Sequence, residues 1–189
     1  GSDAPAPAAC SAPAEVLSRS SSAAISSSPM APSLASADVM AHRIAVMDHG
    51  RLVQISTPAE LYEQPNSRWV AEFIGDVNLI EGGVLAAVAD GIVIETAGGN
   101  RFSASGGGDV KPGARIWLAL RPGKVRITPR PPQGGNRVSG RVVDIGYLGD
   151  MSVYKVKLDD GSTMRVSVAN ARRVTEREIG WDEPVWLSW

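Results

Sequence analysis

The stretch that decides the fold is residues 42–81, HRIAVMDHGRLVQISTPAELYEQPNSRWVAEFIGDVNLIE. Its first part carries two short apolar runs, at 43–48 and 51–55, on either side of His49-Gly50. Because glycine readily takes the positive φ that a tight hairpin turn requires, this pattern predicts two antiparallel strands. The second part of the stretch carries the signals of two helices.

The first helix is predicted by the sequence Thr57-Pro58-Ala59-Glu60. Thr57 is placed as the N-cap, Pro58 takes the first helical position, and Glu60 can complete a capping box with Thr57. Pro65 cannot continue a helix and restricts the residue before it, so the helix ends there.

The second helix starts after Asn66 or Ser67, either of which can cap it, and Gly75 is placed to end it. Its apolar side chains fall on one face at helical spacing. They are Trp69, Val70, Phe73 and Ile74. We therefore expect this helix to dock on another element.

From residue 78 onward, short alternating strands separated by glycine-rich turns predict a small β domain. Lys111-Pro112-Gly113 is typical of a type II turn, and the strand after it places Ile116, Leu118 and Leu120 on one side. The predicted fold is mainly β: a closed or nearly closed barrel, preceded by the hairpin and two helices. Closure of the barrel pairs most strand edges, so that few main-chain N–H and C=O groups are left unpaired in so small a domain.

Composition limits the remaining possibilities. Residues 1–39 are dominated by Ala, Ser and Pro and predict a disordered leader or tag remnant. A net charge of −1 gives no global attraction to DNA or acidic membranes. The single cysteine, Cys10, cannot form an internal disulfide, and two histidines cannot form a multi-histidine metal site. No apolar run is long enough to span a bilayer.

The text from about residue 40 to residue 81 resembles the end of the nucleotide-binding domain of ABC importer ATPases, above all the polyamine (putrescine/spermidine) type. The family pattern RIAVMDxGRLxQ…TPxExYxxPxSRWVAEFIGxxN is matched almost without a break. Two later runs resemble the TOBE domain that follows in this family. One is Arg121-Pro122-Gly123, where Gly123 replaces the glutamate of the family's LRPE element. The other is GRVVDIGYLGDMSVYKV at 140–156.

The resemblance implies three parts: a leader at 1–39, the C-terminal remnant of a nucleotide-binding domain at 40–77, and an OB-like TOBE domain at 78–189. The ATP-hydrolysing motifs of the family are not found in these 189 residues. Gly123-Lys124 is followed by Val125 and is no phosphate loop. The family's switch histidine would fall on Pro32. We therefore predict that this chain is not itself an enzyme and holds no cofactor, whereas the intact family member uses ATP and Mg²⁺.

What the resemblance implies about function is a regulatory and dimer-forming role. The expected partners are a second copy and the membrane-spanning permease subunits, on the cytoplasmic face of the membrane. Arg121, Tyr147, Gly149 and Asp150 are the candidate interface or regulatory residues. Arg121 could pair with a carboxylate across the domain or lie solvated at a strand exit. Val46, Met47 and Val53 would contact the ATPase core in the family, so we expect them to be exposed here.

Two other functions remain open. Main-chain amides at 146–150 could bind an oxyanion or a metabolite, as TOBE modules of molybdate proteins do. A local basic cluster could bind single-stranded nucleic acid on an OB-like barrel. Its members are Lys124, Arg126, Arg130, Arg137 and Arg141. The near-zero net charge and the shortage of aromatic residues in this cluster count against nucleic acid, so no such partner is expected.

Overall fold

The computed structural model describes residues 15–17, 42–88, 91–106, 110–170 and 179–189. Twelve strands and two short α-helices occur in these ranges. The strands are β1 Glu15–Leu17, β2 Ile44–Asp48, β3 Arg51–Ser56, β4 Asn78–Val88, β5 Gly91–Glu95, β6 Arg101–Ser105, β7 Arg115–Leu120, β8 Arg126–Thr128, β9 Arg137–Tyr147, β10 Met151–Leu158, β11 Thr163–Ala169 and β12 Pro184–Ser188; the helices are α1 Pro58–Glu63 and α2 Arg68–Ile74. The predicted fold class, mainly β with a hairpin and two helices before an OB-like barrel, is confirmed.

The hairpin and both helices form where their local signals predict them. Strands β2 and β3 pair across His49-Gly50, whose φ angles are 46° and 75°. Thr57 and Glu60 complete the capping box: the Glu60 amide donates to Thr57 Oγ1 (3.3 Å), and the Thr57 amide donates to Glu60 Oε2 (3.0 Å). Of the two possible caps of α2 it is Ser67 that accepts from the Val70 amide.

The barrel is built from two curled five-stranded sheets. The first has the order β1-β7-β4-β5-β6 and the second the order β11-β10-β9-β12-β8. Both bury alternate side chains in one shared core, so the period of two in the sequence sets the inner face of each strand. In β7, for example, Ile116, Leu118 and Leu120 are all buried. The Lys111–Ala114 turn is of type II, with Gly113 at φ 84° and a bond from the Ala114 amide to the Lys111 carbonyl.

Two buried asparagines cover sheet edges with their side chains. Asn78 donates to the Arg165 carbonyl and accepts from the Arg165 amide on β11, both at 2.8 Å. Asn136 makes the same two-way contact with Ser103 on β6, both at 2.7 Å. A side-chain amide presents an N–H donor and a C=O acceptor side by side, so each asparagine bonds the C=O and the N–H of one edge residue as a neighbouring strand would. Both edge positions are thereby satisfied without another strand.

Strand β1 corrects one part of the leader prediction. Residues 15–17 pair antiparallel with β7, with Val16 opposite Leu118. A disordered leader was predicted over 1–39; the rest of that range lies outside the described residues. A three-residue strand has no recognisable period of its own in a segment rich in Ala and Ser, so pattern reasoning could not find it.

Candidate functional site at the Arg121 junction

Arg121 leaves the end of β7 and points its side chain at the two helices. Its backbone is extended (φ −68°, ψ 136°), and a 3-10 turn at Pro122–Lys124 follows immediately. Because Pro122 fixes the chain direction at the first position of that turn, the guanidinium is directed away from the barrel core. Only 6% of Arg121 is exposed.

The guanidinium donates to main-chain carbonyls at the ends of both helices. Nε and Nη2 reach the Tyr62 carbonyl at 3.3 and 3.2 Å. Nη1 reaches the carbonyls of Ala71, Gly75 and Asp76 at 3.0, 3.1 and 3.3 Å. The last carbonyls of a helix have no partner within the helix and carry partial negative charge. One buried cation therefore binds the C-terminal ends of α1 and α2 together.

The bonds to helix-end carbonyls were not among the sequence-based alternatives for Arg121. It is not solvated at a strand exit, because it is buried, and its described hydrogen bonds go to main-chain carbonyls. Pairing with a carboxylate across the domain stays a prediction. Sequence reasoning missed this role because helix-end carbonyls are not visible as residue types. The Tyr62 ring adds a cation–π contact, with the guanidinium carbon 4.3 Å from its centroid.

Three further contacts join the helical segment to the barrel. Arg68 of α2 lies over the Trp117 ring of β7, 4.4 Å from the centroid. Lys124 pairs with Glu63 at 3.0 Å, and Arg165 pairs with Asp76 at 2.6 Å. These exposed pairs contribute little individually. Together with Arg121 they fix the orientation of the helices on the barrel, and we call this set of contacts the Arg121 junction.

The other candidate interface residues lie at the β9–β10 connection. Tyr147 is 54% exposed at the end of β9. Gly149 has φ 91°, and its carbonyl accepts from the Asn170 side chain at 2.9 Å. The Asp150 carbonyl accepts from the Asn170 amide at 2.7 Å. The structure thus brings Gly149 and Asp150 to Asn170 at the end of β11, Tyr147 lies opposite Ser152 in the same hairpin, and Arg121 is bonded to the helices.

One main-chain amide of the 146–150 segment is already bonded within the hairpin. The Leu148 amide donates to the Met151 carbonyl at 2.9 Å within the hairpin. Asn170, which holds the loop, is itself bonded to the Ser152 hydroxyl at 2.8 Å. The amide of Leu148 is therefore used by the turn and is not presented to a ligand.

One of the three hairpin residues that were predicted to be exposed is buried. Val46 is only 3% exposed, because it packs with Leu61 of α1 and Val70 of α2 in a small core. Val53 is half-buried against the same core. Met47 is 57% exposed, as expected, and with Leu52 and Ile55 it forms an apolar hairpin face. The alternation of the strands puts Val46 on the side that the helices cover and Met47 on the other.

A cavity of about 290 Å³ lies between the start of β4, the β5–β6 turn and the β10–β11 turn. Apolar side chains such as Phe102, Trp117 and Met164 line it, and Glu81 and Asp160 are its carboxylates. Asp160 accepts bonds from Asn100 (2.9 Å) and from the Ser162 hydroxyl (2.6 Å). Glu81 also lies 3.6 Å from the Arg115 guanidinium.

The five basic residues predicted as a cluster are partly engaged within the chain. Lys124 pairs with Glu63, and Arg137 donates to the Pro132 carbonyl at 3.1 Å. Arg141 bonds the Asp182 carbonyl and lies 3.6 Å from its carboxylate. A groove of free cations along a strand path is therefore not formed by these three residues.

Neither a membrane-crossing helix nor a metal-binding group is found in the described residues. Both α-helices are too short and too polar to cross a bilayer. Within the same residues, no three His, Cys, Asp or Glu side chains lie close enough together to hold an ion.

The barrel and its Arg-Pro exit from β7 define the class of domain. Residues 118–189 match the sequence profile of the TOBE domain. The fold is also similar to that of the cytoplasmic molybdate-binding protein ModG in its molybdate-bound form, with a TM-score of 0.52 over 59% of this chain and 88% of that one. At 15% identity this second likeness shows the fold alone.

The relatives extend the match to the hairpin and helices. The chain is 39% identical over 152 residues to the putrescine transport ATP-binding protein PotG of Escherichia coli, covering 79% of this chain and 40% of the relative. It is 40% identical over 124 residues to the spermidine/putrescine import ATP-binding protein PotA of Chromobacterium violaceum, covering 65% and 34%. The chain matches the C-terminal region of such importer proteins and spans about two fifths of their length.

Two functional positions had not been identified from the sequence. Asn78 ties the exit of α2 to β11, and Asp160 ties the β10–β11 turn to the β5–β6 turn. A Cβ atom on Gly98 would lie 2.4 Å from the Asp160 Cβ, so the two turns approach closely because residue 98 is glycine. The only sequence signal was the Asp159-Asp160-Gly161 turn itself, which does not indicate what the second carboxylate contacts.

Proposed function

We propose that this chain acts as the C-terminal regulatory and dimer-forming part of the ATP-binding subunit of a polyamine importer. The match to PotG and PotA proteins and the TOBE domain support this assignment. In this proposal the chain lies on the cytoplasmic side of the membrane, peripheral to the permease subunits. ATP and Mg²⁺ are bound by sequence that these 189 residues do not contain, and the chain itself holds no cofactor.

The observation that carries the proposal is the Arg121 junction. A regulatory domain can influence an ATPase only if movement of one is transmitted to the other. Arg121 bonds the ends of both helices at once, and these helices precede the barrel in the chain. A rotation of the barrel therefore moves α1 and α2 with it, because slippage would leave a buried guanidinium and several helix-end carbonyls without their bonds.

The hairpin supplies the surface that would continue toward the ATPase core. Met47, Leu52 and Ile55 are 57%, 56% and 44% exposed, and they share one side of a two-stranded ribbon. An apolar patch of this kind at the start of the matched region is suited to packing against a further domain. In the proposal this further domain is the nucleotide-binding core of the subunit.

A chimera tests the proposal. Residues 42–189 replace the matched region of the Escherichia coli PotG protein in a strain that lacks PotG, and putrescine uptake is measured. We expect uptake to be restored. Uptake should fall at least severalfold with Arg121→Met, while the chimeric protein remains present at the same level. Arg101→Met is the matched control, because Arg101 is exposed and its ion pair in the described part of the chain is with neighbouring Glu95 in the same sheet.

Two outcomes would overturn the proposal. The first is a stable chimera without uptake, and the second is full uptake in the Arg121→Met chimera. The dimer is tested separately by sedimentation equilibrium of the 189-residue chain, where a monomer at all concentrations would contradict self-association. ATP turnover by the purified chain would contradict the placement of hydrolysis elsewhere.

A further inference from the structure

The edge of β7 is covered differently from the other edges that the structure describes. On β6 and β11 an asparagine side chain bonds the outward peptide group, at Ser103 and Arg165. On β7 the neighbour is a strand from a distant part of the sequence, β1. Strand β1 also lies against β6, so it fills the space between the two outer strands of the first sheet.

This edge has the properties of a slot for an extended peptide. Strand β4 pairs with one side of β7 along its whole length, from Arg115 to Leu120, so β7 is held rigid whether or not its other side is occupied. The side chains of Ile116, Leu118 and Leu120 are already buried in the core. What the open side offers is therefore main-chain N–H and C=O groups, which an added strand binds with little dependence on its sequence.

The pairing between β1 and β7 is short. It covers Glu15 to Leu17 opposite Ala119 to Trp117. Three residues supply few backbone bonds, each of modest net strength, and a long intervening chain must be closed to form them. Such a contact forms and opens readily, so another strand can compete for it.

We propose that the β7 edge is a strand-binding slot for an extended peptide and that residues 15–17 are its intramolecular ligand. The ligand class is a short peptide free of proline at the paired positions, since proline lacks the N–H that a strand donates. The leader meets this requirement at 14–28, its longest run without proline. The slot belongs to the barrel itself and does not depend on the importer role.

Hydrogen exchange of the full-length chain, read by mass spectrometry, tests the contact. The N–H groups of adjacent strand residues point to opposite edges, so Val16→Pro/Leu17→Pro together must remove a donor that faces β7. We expect exchange in fragments covering 115–120 to become about tenfold faster, the factor for the loss of one hydrogen bond of ordinary strength. Exchange in the interior strand β5 should be unchanged, which shows that the barrel remains folded.

The matched control is Ala23→Pro/Ala24→Pro, two substitutions of the same kind outside β1. This control should leave exchange at 115–120 as in the unchanged chain. Equal exchange of all three proteins at 115–120 would overturn the proposal, and so would a control that exchanges as fast as the test variant.

A peptide added in trans tests the slot itself. An excess of the peptide PAEVLSRS, residues 13–20, should restore slow exchange at 115–120 in the Val16→Pro/Leu17→Pro chain. The peptide PAEPPSRS should not restore it. Failure of the first peptide would overturn the proposal. Equal protection by both peptides would also overturn it, as would a dimer of the variant whose β7 is protected without peptide, because the occupant would then be a second copy.

Discussion

In the described part of the chain, the hairpin and helices of 42–77 bury three apolar side chains in a core of their own, whereas the barrel of 78–189 buries twenty. The smaller core consists of Val46, Leu61 and Val70. Burial of so few side chains does not offset the entropy of ordering thirty-odd residues at about 1–2 kcal/mol each. The smaller region therefore depends on its contacts with the larger one.

This difference explains why the junction uses a buried charge. Apolar contacts between the two regions would stabilise many relative orientations, because burial of apolar area has no preferred direction. The planar Arg121 guanidinium forms directional hydrogen bonds. It reaches carbonyls of both helices because the helices have this orientation on the barrel. The barrel thus contributes stability, and the junction contributes a fixed geometry.

The largest expected effect comes from truncating one core residue in each region and comparing the loss of stability. Leu187 is fully buried in the barrel and Leu61 is 2% exposed in the small core. We expect Leu187→Ala to lower the free energy of unfolding of the barrel by about 2–5 kcal/mol. Leu61→Ala should instead raise hydrogen exchange in 42–74 and leave the barrel's denaturation midpoint nearly unchanged. A barrel that loses equal stability in both variants would show that the two regions unfold as one unit.

The second change breaks the junction itself. Arg121→Met keeps a long apolar side chain but removes every donor, so helix-end carbonyls lose their partner. We expect a loss of about 1–3 kcal/mol in the free energy of unfolding, measured by denaturant titration. Arg121→Lys should recover only part of the loss, because a lysine lacks the planar guanidinium. Arg101→Met, at an exposed pair, should stay within about 0.5 kcal/mol of the unchanged chain.

A smaller effect is expected from a substitution in the capping box of the helical region. Thr57→Ala removes the side-chain acceptor of the capping box at α1. Loss of such a cap costs typically about 1 kcal/mol. The effect should appear as faster exchange of the α1 amides, and Thr57→Ser should restore slow exchange. Unchanged exchange in the alanine variant would mean that packing of Leu61 alone holds the helix.

The smallest expected effect is a dependence of the barrel's stability on pH. Partial burial raises the pKa of Asp160, but the hydrogen bonds from Ser162 and Asn100 outweigh it and hold the pKa below its ordinary value. The folded state therefore binds this proton less readily than the unfolded state does. The carboxylate stabilises the fold above the unfolded pKa of about 3.9, and this stabilisation is lost as the pH falls through the lower, folded pKa.

Denaturation of the unchanged chain and of Asp160→Asn from pH 7 to pH 2 measures this effect. The unchanged chain should be the more stable of the two at pH 7, and the difference should shrink below about pH 4. A difference that is constant with pH would mean that Asp160 ties the two turns without its charge.

Much of the architecture could be predicted because its signals are local. The capping box at Thr57, the turn at Gly113 and the inner face of β7 each depend on a few neighbouring residues, and each is confirmed. The interface role of Arg121, Tyr147, Gly149 and Asp150 stays a prediction, as does the division at 77/78. The burial of Val46 could not be predicted, because the helices that cover it dock on the hairpin only in three dimensions.

The amino-acid sequence alone determined the hairpin, the two helices, the inward face of strands such as β7 and the resemblance to the end of an importer ATPase, since these follow from residue spacing and from motifs. Only the tertiary structure decided what Arg121 contacts, which asparagines cover sheet edges and that residues 15–17 join β7. Each of those contacts ends on a main-chain group far away in the chain. Main-chain groups are the same in every residue, so no residue pattern records them.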